Sequence, residues 1–340
     1  MMLFRSALES DLDAIHQLAE HCGFGLTSLP KNIEILRKRL AWSCSSFQKK
    51  VKSPSSEYYL FVLEDSESSE IVGTSAIEAT TGHDLPLYSY RVLKRTRICH
   101  SLNIRSDYEI LDLVNDNQGR SELCTLFLKP EFRHDTNGLL LARARFLFIA
   151  NYPQRFAPII IAELRGISDE LGNSPFWDSV GQHFFHMTFA EADAFTVSTN
   201  KQFIADLMPR SPIYVKLLPP EAQAVIGHPH HSAVPAMKLL LHEGFRFNST
   251  VDIFDAGPTI ESPLDQIRTI ADNRLMTITS LSDEVSSKLF LIANTKLDFR
   301  ATIAMAIFKP QKGTCIIGKK TAELLQVQQG DCLRIAPSLV

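Results

Sequence analysis

The stretch Ser121–Leu141, SELCTLFLKPEFRHDTNGLLL, holds the residues best suited to grip a phosphorylated ligand. Arg133 is followed five positions on by Gly138, and the apolar run Leu139–Ala150 behind them reads as a buried helix. The first backbone N–H groups of such a helix have no acceptor within it. A diphosphate set in this joint is stabilised by those N–H groups, by the helix dipole and by the Arg133 guanidinium. In front of the joint, Leu123, Leu126, Phe127 and Leu128 form a short apolar strand. Pro130 ends it, because proline lacks the N–H that a sheet ladder needs. The alternative is plain packing, since a turn followed by an apolar helix also occurs in α/β proteins that bind nothing there.

Two further groups carry chemistry. Glu163 and Arg165 flank Leu164 at the end of a buried strand, where they read either as a structural ion pair or as an anion and a cation for a charged substrate. His228-Pro229-His230-His231-Ser232 places three imidazoles in four residues. Adjacent loop histidines without a companion cysteine or carboxylate pattern do not converge on one ion, so no metal site is expected.

The elements that must position these residues are legible along much of the chain. Leu3-Phe4-Arg5 is a short strand, and Ser10 reads as the N-cap of a helix with Asp13 placed to answer it. Leu12, Ile15, Leu18, Ala19 and Cys22 give that helix one apolar face, and Gly23-Phe24-Gly25 breaks it. A second helix carries Ile33, Leu36, Leu40 and Cys44 on one side. Tyr58–Glu64 and Ile71–Ala79 form a hairpin, and Leu87–Leu113 is less legible, with one strand around Tyr88–Val92. Past the joint come a strand at Pro158–Ala162 and a helix capped by Ser174 with Pro175 in its first turn. A helix Ala233–His242 capped by Ser232 and stopped by Gly244 follows, then a strand Phe245–Phe254. From about Leu264 the texture changes to short strands.

With 340 residues the chain can bury a large core, and a net charge of -3 argues against nucleic acid or an anionic membrane surface as partner. Six cysteines without a CxxC pair, no secretory leader and no long apolar segment give the expectation of a cytoplasmic protein with reduced thiols and no membrane contact.

The spacing Leu126-x-Leu128-x-Pro130, then Arg133 and Gly138, resembles the acyl-CoA signature of the GNAT N-acyltransferase superfamily. Thr136 stands where that superfamily prefers glycine, and a Cβ there hinders a left-handed backbone. The order strand, two helices, hairpin, strand and phosphate loop is also that of GNAT enzymes. The resemblance implies a mixed α/β sheet flanked by helices, an acyltransferase core over 1–262 and a small β-rich subdomain over 263–340. It sets Leu126, Phe127, Leu128, Arg133, Thr136, Gly138 and Leu139 against the acyl-CoA. It also lays Phe176 and Trp177 along the pantetheine arm, although aromatics on such a helix usually belong to the core.

Several motifs together resemble a narrower family, the arginine N-succinyltransferases: Gly25-Leu26-Thr27-Ser28-Leu29-Pro30, Phe61-Val62-Leu63-Glu64-Asp65-Ser66, Ser121–Leu128, Ser174-Pro175-Phe176-Trp177, Leu207-Met208-Pro209 and Asp252-Ile253-Phe254-Asp255-x-Gly257-Pro258-Thr259. This resemblance implies transfer of succinyl from succinyl-CoA, a co-substrate and not a resident cofactor, to the α-amine of L-arginine. It leaves ornithine or another amine as alternative acceptors. It also leaves a non-catalytic acyl-CoA-binding chain as an alternative, and implies a homodimer or a hetero-oligomer with a homologous chain. His230 takes the implied role of proton donor, and Glu122 at the start of the cofactor strand competes with it as acid or base. A backbone N–H near Leu126 would polarise the thioester. Thr27 and Ser28 would face the acceptor amine, and Glu163 and Arg165 would suit its guanidinium and the succinyl carboxylate. Cys124 has apolar neighbours and is expected to be inert.

Overall fold

The first strand, β1 (Met2–Ser6), is too apolar to be an edge: Phe4 is fully buried, and Arg5 is held by Asp11 at 2.7 Å and by Glu64 at 2.6 Å. The computed structural model describes residues 1–22, 26–83, 86–198, 202–282 and 288–338. The expected break at Gly23–Gly25 lies outside them. Asp11, not Ser10, organises the start of helix α1 (Leu12–Glu20): its carboxylate accepts the Leu8 N–H while bound to Arg5, and Ser10 sits inside a 3-10 turn. Helix α2 (Ile33–Gln48) begins at Asn32, whose side chain accepts from Glu34 and Ile35 N–H, and buries Leu36, Leu40 and Phe47.

Next come the hairpin β2 (Tyr58–Asp65) and β3 (Glu70–Glu78), and a second, longer hairpin, β4 (Ser89–Cys99) and β5 (Ile104–Val114). The latter is the stretch in which the sequence shows only one strand. Its far half is exposed on both faces, so apolar alternation gives no signal there. Strand β6 (Ser121–Leu128) leads through the joint to helix α3 (Asn137–Asn151) and back to β7 (Ile159–Glu163). Strands β8 (Ile213–Tyr214), β9 (Arg246–Val251) and β10 (Pro258–Pro263) complete one half of the sheet.

The remaining strands are β11 (Arg274–Leu281), β12 (Leu289–Asn294), β13 (Arg300–Lys309), β14 (Thr314–Ile317) and β15 (Cys332–Pro337). They pair in the order β12-β15-β11-β14-β13, and β13 returns to pair with β12, which closes a five-stranded barrel. Barrel strand β13 also pairs with β1, Phe4 facing Ala301. The sheet therefore runs without a break from the barrel through β1-β2-β3-β6-β7-β10-β9-β4-β5-β8. Leu291, Ala293, Phe299, Ala301 and Ala336 join the main core beside Phe4, Phe61 and Phe148, so barrel and sheet share apolar packing.

Phe176 and Trp177 are fully buried in a separate cluster with Tyr90, Phe185 and Phe254, on a helix (Pro175–Ser179) capped by Ser174 as expected. They belong to the core and not to a ligand arm. No helix among the described residues is long and apolar enough to cross a membrane.

Candidate active site

Two irregularities of the sheet create the site. β6 and β7 are parallel but pair only at Ser121–Ile160 and Glu122–Ile161, after which they diverge. On its other side β6 carries a bulge: Cys124 faces Ala76 and Phe127 faces Thr74, so β6 has one residue more than β3 between these pairs. Thr125 takes φ +57°, a left-handed value unusual for a β-branched residue. The strain is held from three sides. Thr74 donates to the Thr125 carbonyl at 3.0 Å, Tyr58 Oη lies 3.0 Å from Thr125 Oγ1, and the Thr125 N–H donates to Ser28 Oγ at 3.0 Å.

A cavity of about 1460 Å³ fills the space between the diverging strands. Leu126, Phe127, Leu128, Arg133, Gly138 and Leu139 line one end. Thr27, Ser28, Glu122, Glu163, Arg165 and His230 line the rest, so the structure gathers residues spread over two hundred positions of sequence. Thr136 is the exception and does not line it. Its φ is −100°, its carbonyl accepts the Leu140 N–H at 2.8 Å, and the left-handed residue of the joint is Asp135 at φ +50°. The expected conflict between Thr136 and a glycine-like backbone therefore does not arise.

The joint leaves hydrogen-bond donors uncovered at the start of helix α3. Arg133 Nε is tied to the Leu128 carbonyl at 2.9 Å, and Asn137 Nδ2 reaches the Phe132 carbonyl at 3.1 Å. Helix α3 has no side-chain cap, so nothing from a capping residue covers its first N–H groups. A Cβ added at Gly138 would meet only Leu128 Cδ2 at 4.0 Å, which leaves room for a ligand against the backbone.

At the other end, the exit of β7 is clamped to the turn after β9. The buried Asp255 carboxylate accepts from Gly166 N–H at 2.7 Å and Gly257 N–H at 2.8 Å. Burial, with Asp252 nearby, pushes the Asp255 carboxyl up, while these N–H groups and Arg165 pull it down. Arg165 donates to Ser168 Oγ at 2.8 Å, and its carbonyl accepts the His230 N–H at 2.8 Å. Burial lowers the Arg165 pKa, against the attraction of Asp255 and Asp193.

His230 is only 9% exposed. Its Nδ1 accepts the Ser232 N–H at 3.2 Å and lies 2.7 Å from Ser232 Oγ, a network that assigns the ring proton to Nε2. The imidazole, not Ser232, is thus the cap of this turn, and the helix behind it begins at Val234. Burial first, then Arg165 and His231, push the His230 pKa down to about 4, against a hydrogen bond to the Ser168 backbone. The ring is neutral at physiological pH.

Glu122 stands where β6 and β7 part, directly across from Glu78 of β3. Cys124 follows on the same strand, and burial with these two carboxylates pushes its thiol up, leaving it un-ionised. Among the described residues no group of three His, Cys, Asp or Glu is arranged to hold a metal.

The sequence reading missed Arg145, Asp255 and Ser232, which also line the cavity. Asp255 lies within a motif that carries only the family resemblance. Arg145 lies in an otherwise apolar helical run, where an arginine is itself a signal.

Comparison with known proteins gives a consistent result. The family described as "Arginine N-succinyltransferase beta subunit" matches residues 2–269, and its C-terminal domain matches residues 274–337. The chain is 41% identical over 338 residues to arginine N-succinyltransferase of Photorhabdus laumondii subsp. laumondii, covering 98% of each. It is 42% identical over 337 residues to arginine N-succinyltransferase subunit beta of Pseudomonas aeruginosa, covering 99% of this chain and 98% of that one. The solved structure of arginine/ornithine succinyltransferase subunit AI from Pseudomonas aeruginosa superposes with a TM-score of 0.91 at 34% identity, over 100% of this chain and 99% of that one.

Proposed function

The chain belongs to the arginine N-succinyltransferase family and is an acyltransferase; on that premise we propose how its cavity moves succinyl from succinyl-CoA to the α-amine of L-arginine. The carrying observation is the bulge at Thr125–Leu126, which lies in one cavity with the anion joint and the His230–Arg165–Asp255 cluster.

Arg133, Gly138 and Leu139 hold the diphosphate of CoA, and the pantetheine arm runs down the cleft along Leu126–Leu128. At the bulge a backbone N–H near Leu126 polarises the thioester carbonyl. The amine must arrive neutral. A base of about 4 cannot strip a free α-ammonium, because a gap of about 4 pK units costs about 5 kcal/mol.

His230 acts after attack, when the nitrogen of the tetrahedral adduct has become acidic. Its proton passes through the Ser232 hydroxyl to Nδ1. The C–S bond breaks, and the ring gives its Nε2 proton to the departing thiolate, so that proton and electron pair are both accounted for. Glu122 is the competing group and would take the amine proton through water. Glu163 serves the guanidinium of the acceptor, Arg165 a substrate carboxylate, and Thr27 and Ser28 the acceptor backbone.

Six free cysteines support a reducing, cytoplasmic setting. Relatives described as subunits support an oligomer, as a homodimer or with a homologous chain. A relative described as acting on arginine and ornithine keeps ornithine as the second acceptor.

The test is thiol release from succinyl-CoA with arginine, ornithine and lysine, for the native chain and for His230→Ala and Glu122→Gln. Release with arginine that only His230→Ala abolishes supports this scheme. Loss in Glu122→Gln alone transfers the acid–base role. Binding of succinyl-CoA with no release for any amine points to a non-catalytic subunit.

A further inference from the structure

The cleft contains a guanidinium that the scheme above leaves without a task. On α3, Gly138, Leu141, Ala142 and Arg145 all line the cavity, a spacing of three and four that marks one stripe of the helix. Gly138 opens the stripe at the diphosphate joint. Seven residues on, about 10 Å down the axis, Arg145 closes it.

Arg145 is 1% exposed. Nε donates to the Ala142 carbonyl at 3.1 Å and Nη1 to the Ala76 carbonyl at 3.3 Å. These account for two of the five N–H groups of a guanidinium, and no carboxylate pairs with it among the described residues. Burial lowers its pKa to about 10, so it is still charged at neutral pH.

The other buried arginines are answered differently. Arg5 meets Asp11 and Glu64, and Arg143 meets Glu243 at 2.7 Å. Arg155 also lacks a carboxylate, but it donates to Ser46 O, Tyr59 Oη and Lys49 O and does not line the cavity. A buried cation facing a cavity without its own anion is arranged for an anion that arrives.

Position identifies that anion. Ala76, the acceptor of Nη1, pairs with Cys124, the residue just before the bulge. A CoA arm entering from the joint reaches the bulge first, so what lies beyond the thioester is the acyl chain. The free carboxylate of a succinyl group is a few bonds past the carbonyl carbon, on the side of Arg145.

We propose that Arg145 is the residue that selects the acyl group, by receiving the terminal carboxylate of the succinyl chain. Arg165, beside His230, is then left for the α-carboxylate of the acceptor. The assignment rests on succinyl-CoA being the donor.

The experiment compares succinyl-CoA with butyryl-CoA, which has the same chain length and a methyl in place of the carboxylate, for the native chain, Arg145→Met, Arg145→Lys and Arg165→Met. The native chain prefers succinyl-CoA. In Arg145→Met, kcat/KM for succinyl-CoA falls about 100-fold while butyryl-CoA is used no worse, and the KM for arginine holds. Arg145→Lys keeps the charge but not the fork, and gives an intermediate ratio even where Arg145→Met does not fold. Arg165→Met raises the KM for arginine and leaves the donor ratio alone. A native ratio in both Arg145 variants, or a ratio erased by Arg165→Met, overturns the proposal. A native chain that prefers butyryl-CoA defeats the succinyl-CoA reading itself, and the proposal with it, before any variant is compared.

Discussion

At the residue scale, the ordinary titration of several cavity groups is suppressed. His230 titrates near 6.5 when unfolded and near 4 when folded, so acid protonates the unfolded chain first. The stability this neutral ring contributes is complete above pH 6.5 and is lost as the pH falls toward 4. His230→Gln, which cannot titrate, should show a flatter melting temperature over that interval, measured by thermal unfolding at half-unit steps of pH. The acid limb of kcat/KM should likewise lie well below the range of an exposed histidine. Ser28 also acts on the strand itself: its hydroxyl oxygen takes the Thr125 N–H and so secures the bulge. Ser28→Ala leaves that buried N–H without its acceptor, at a cost of about 1–3 kcal/mol, and should lower kcat more than it raises the KM for arginine. Of the cavity wall, the turn carrying Arg133 and Gly138 is legible in the sequence because the two residues are local to one turn. Arg145 is not, because its meaning depends on Ala76 and Cys124, which only the sheet brings to it.

At the scale of elements, the cleft exists because β6 and β7 share two residue pairs and then part. The strands themselves are apolar runs that the sequence announces, but the point at which they separate is set by the bulge and by the Asp255 clamp, neither of which leaves a periodic trace. Helix α3 is the floor of this cleft and is pinned from beneath. The Arg143–Glu243 pair, 3% and 1% exposed, also engages Thr269, and Arg143 donates to the Ser338 carbonyl at 2.8 Å. Four segments therefore meet at one charge pair. Glu243→Ala leaves a buried guanidinium without its anion and should cost about 3–5 kcal/mol by denaturant unfolding. At the head of the same helix, Gly138→Ala meets no clash within the protein and should leave the melting temperature unchanged or raise it. The added methyl occupies ligand space, so the KM for succinyl-CoA should rise several-fold.

At the scale of the whole molecule, barrel and sheet are one hydrogen-bonded system. The texture change near Leu264 correctly announced short strands after the main sheet, but not that β13 would close the barrel on one side and complete the edge of β1 on the other. That linkage joins positions about three hundred residues apart and is invisible to any local pattern. A chain cut after Asn273 would lose Phe299 and Ala301 from the core and expose the edge of β1. Such a fragment should show no cooperative unfolding transition by calorimetry, where a chain with an independent appendage would retain one.

The position of β1 also dictates an order of events as the chain is made. Phe4 and Arg5 lie between β2, about sixty residues on, and Ala301 and Arg300 of β13, while Thr302 Oγ1 closes on the Met2 carbonyl at 2.7 Å. During synthesis, β1 keeps one edge open until Arg300 and Ala301, about three hundred residues on, have emerged. Contacts of such separation slow the search for the native state and leave a strand edge exposed during it. Slow refolding with aggregation that grows with protein concentration is the expected signature of a protein in which β1 must pair with a strand about three hundred residues away.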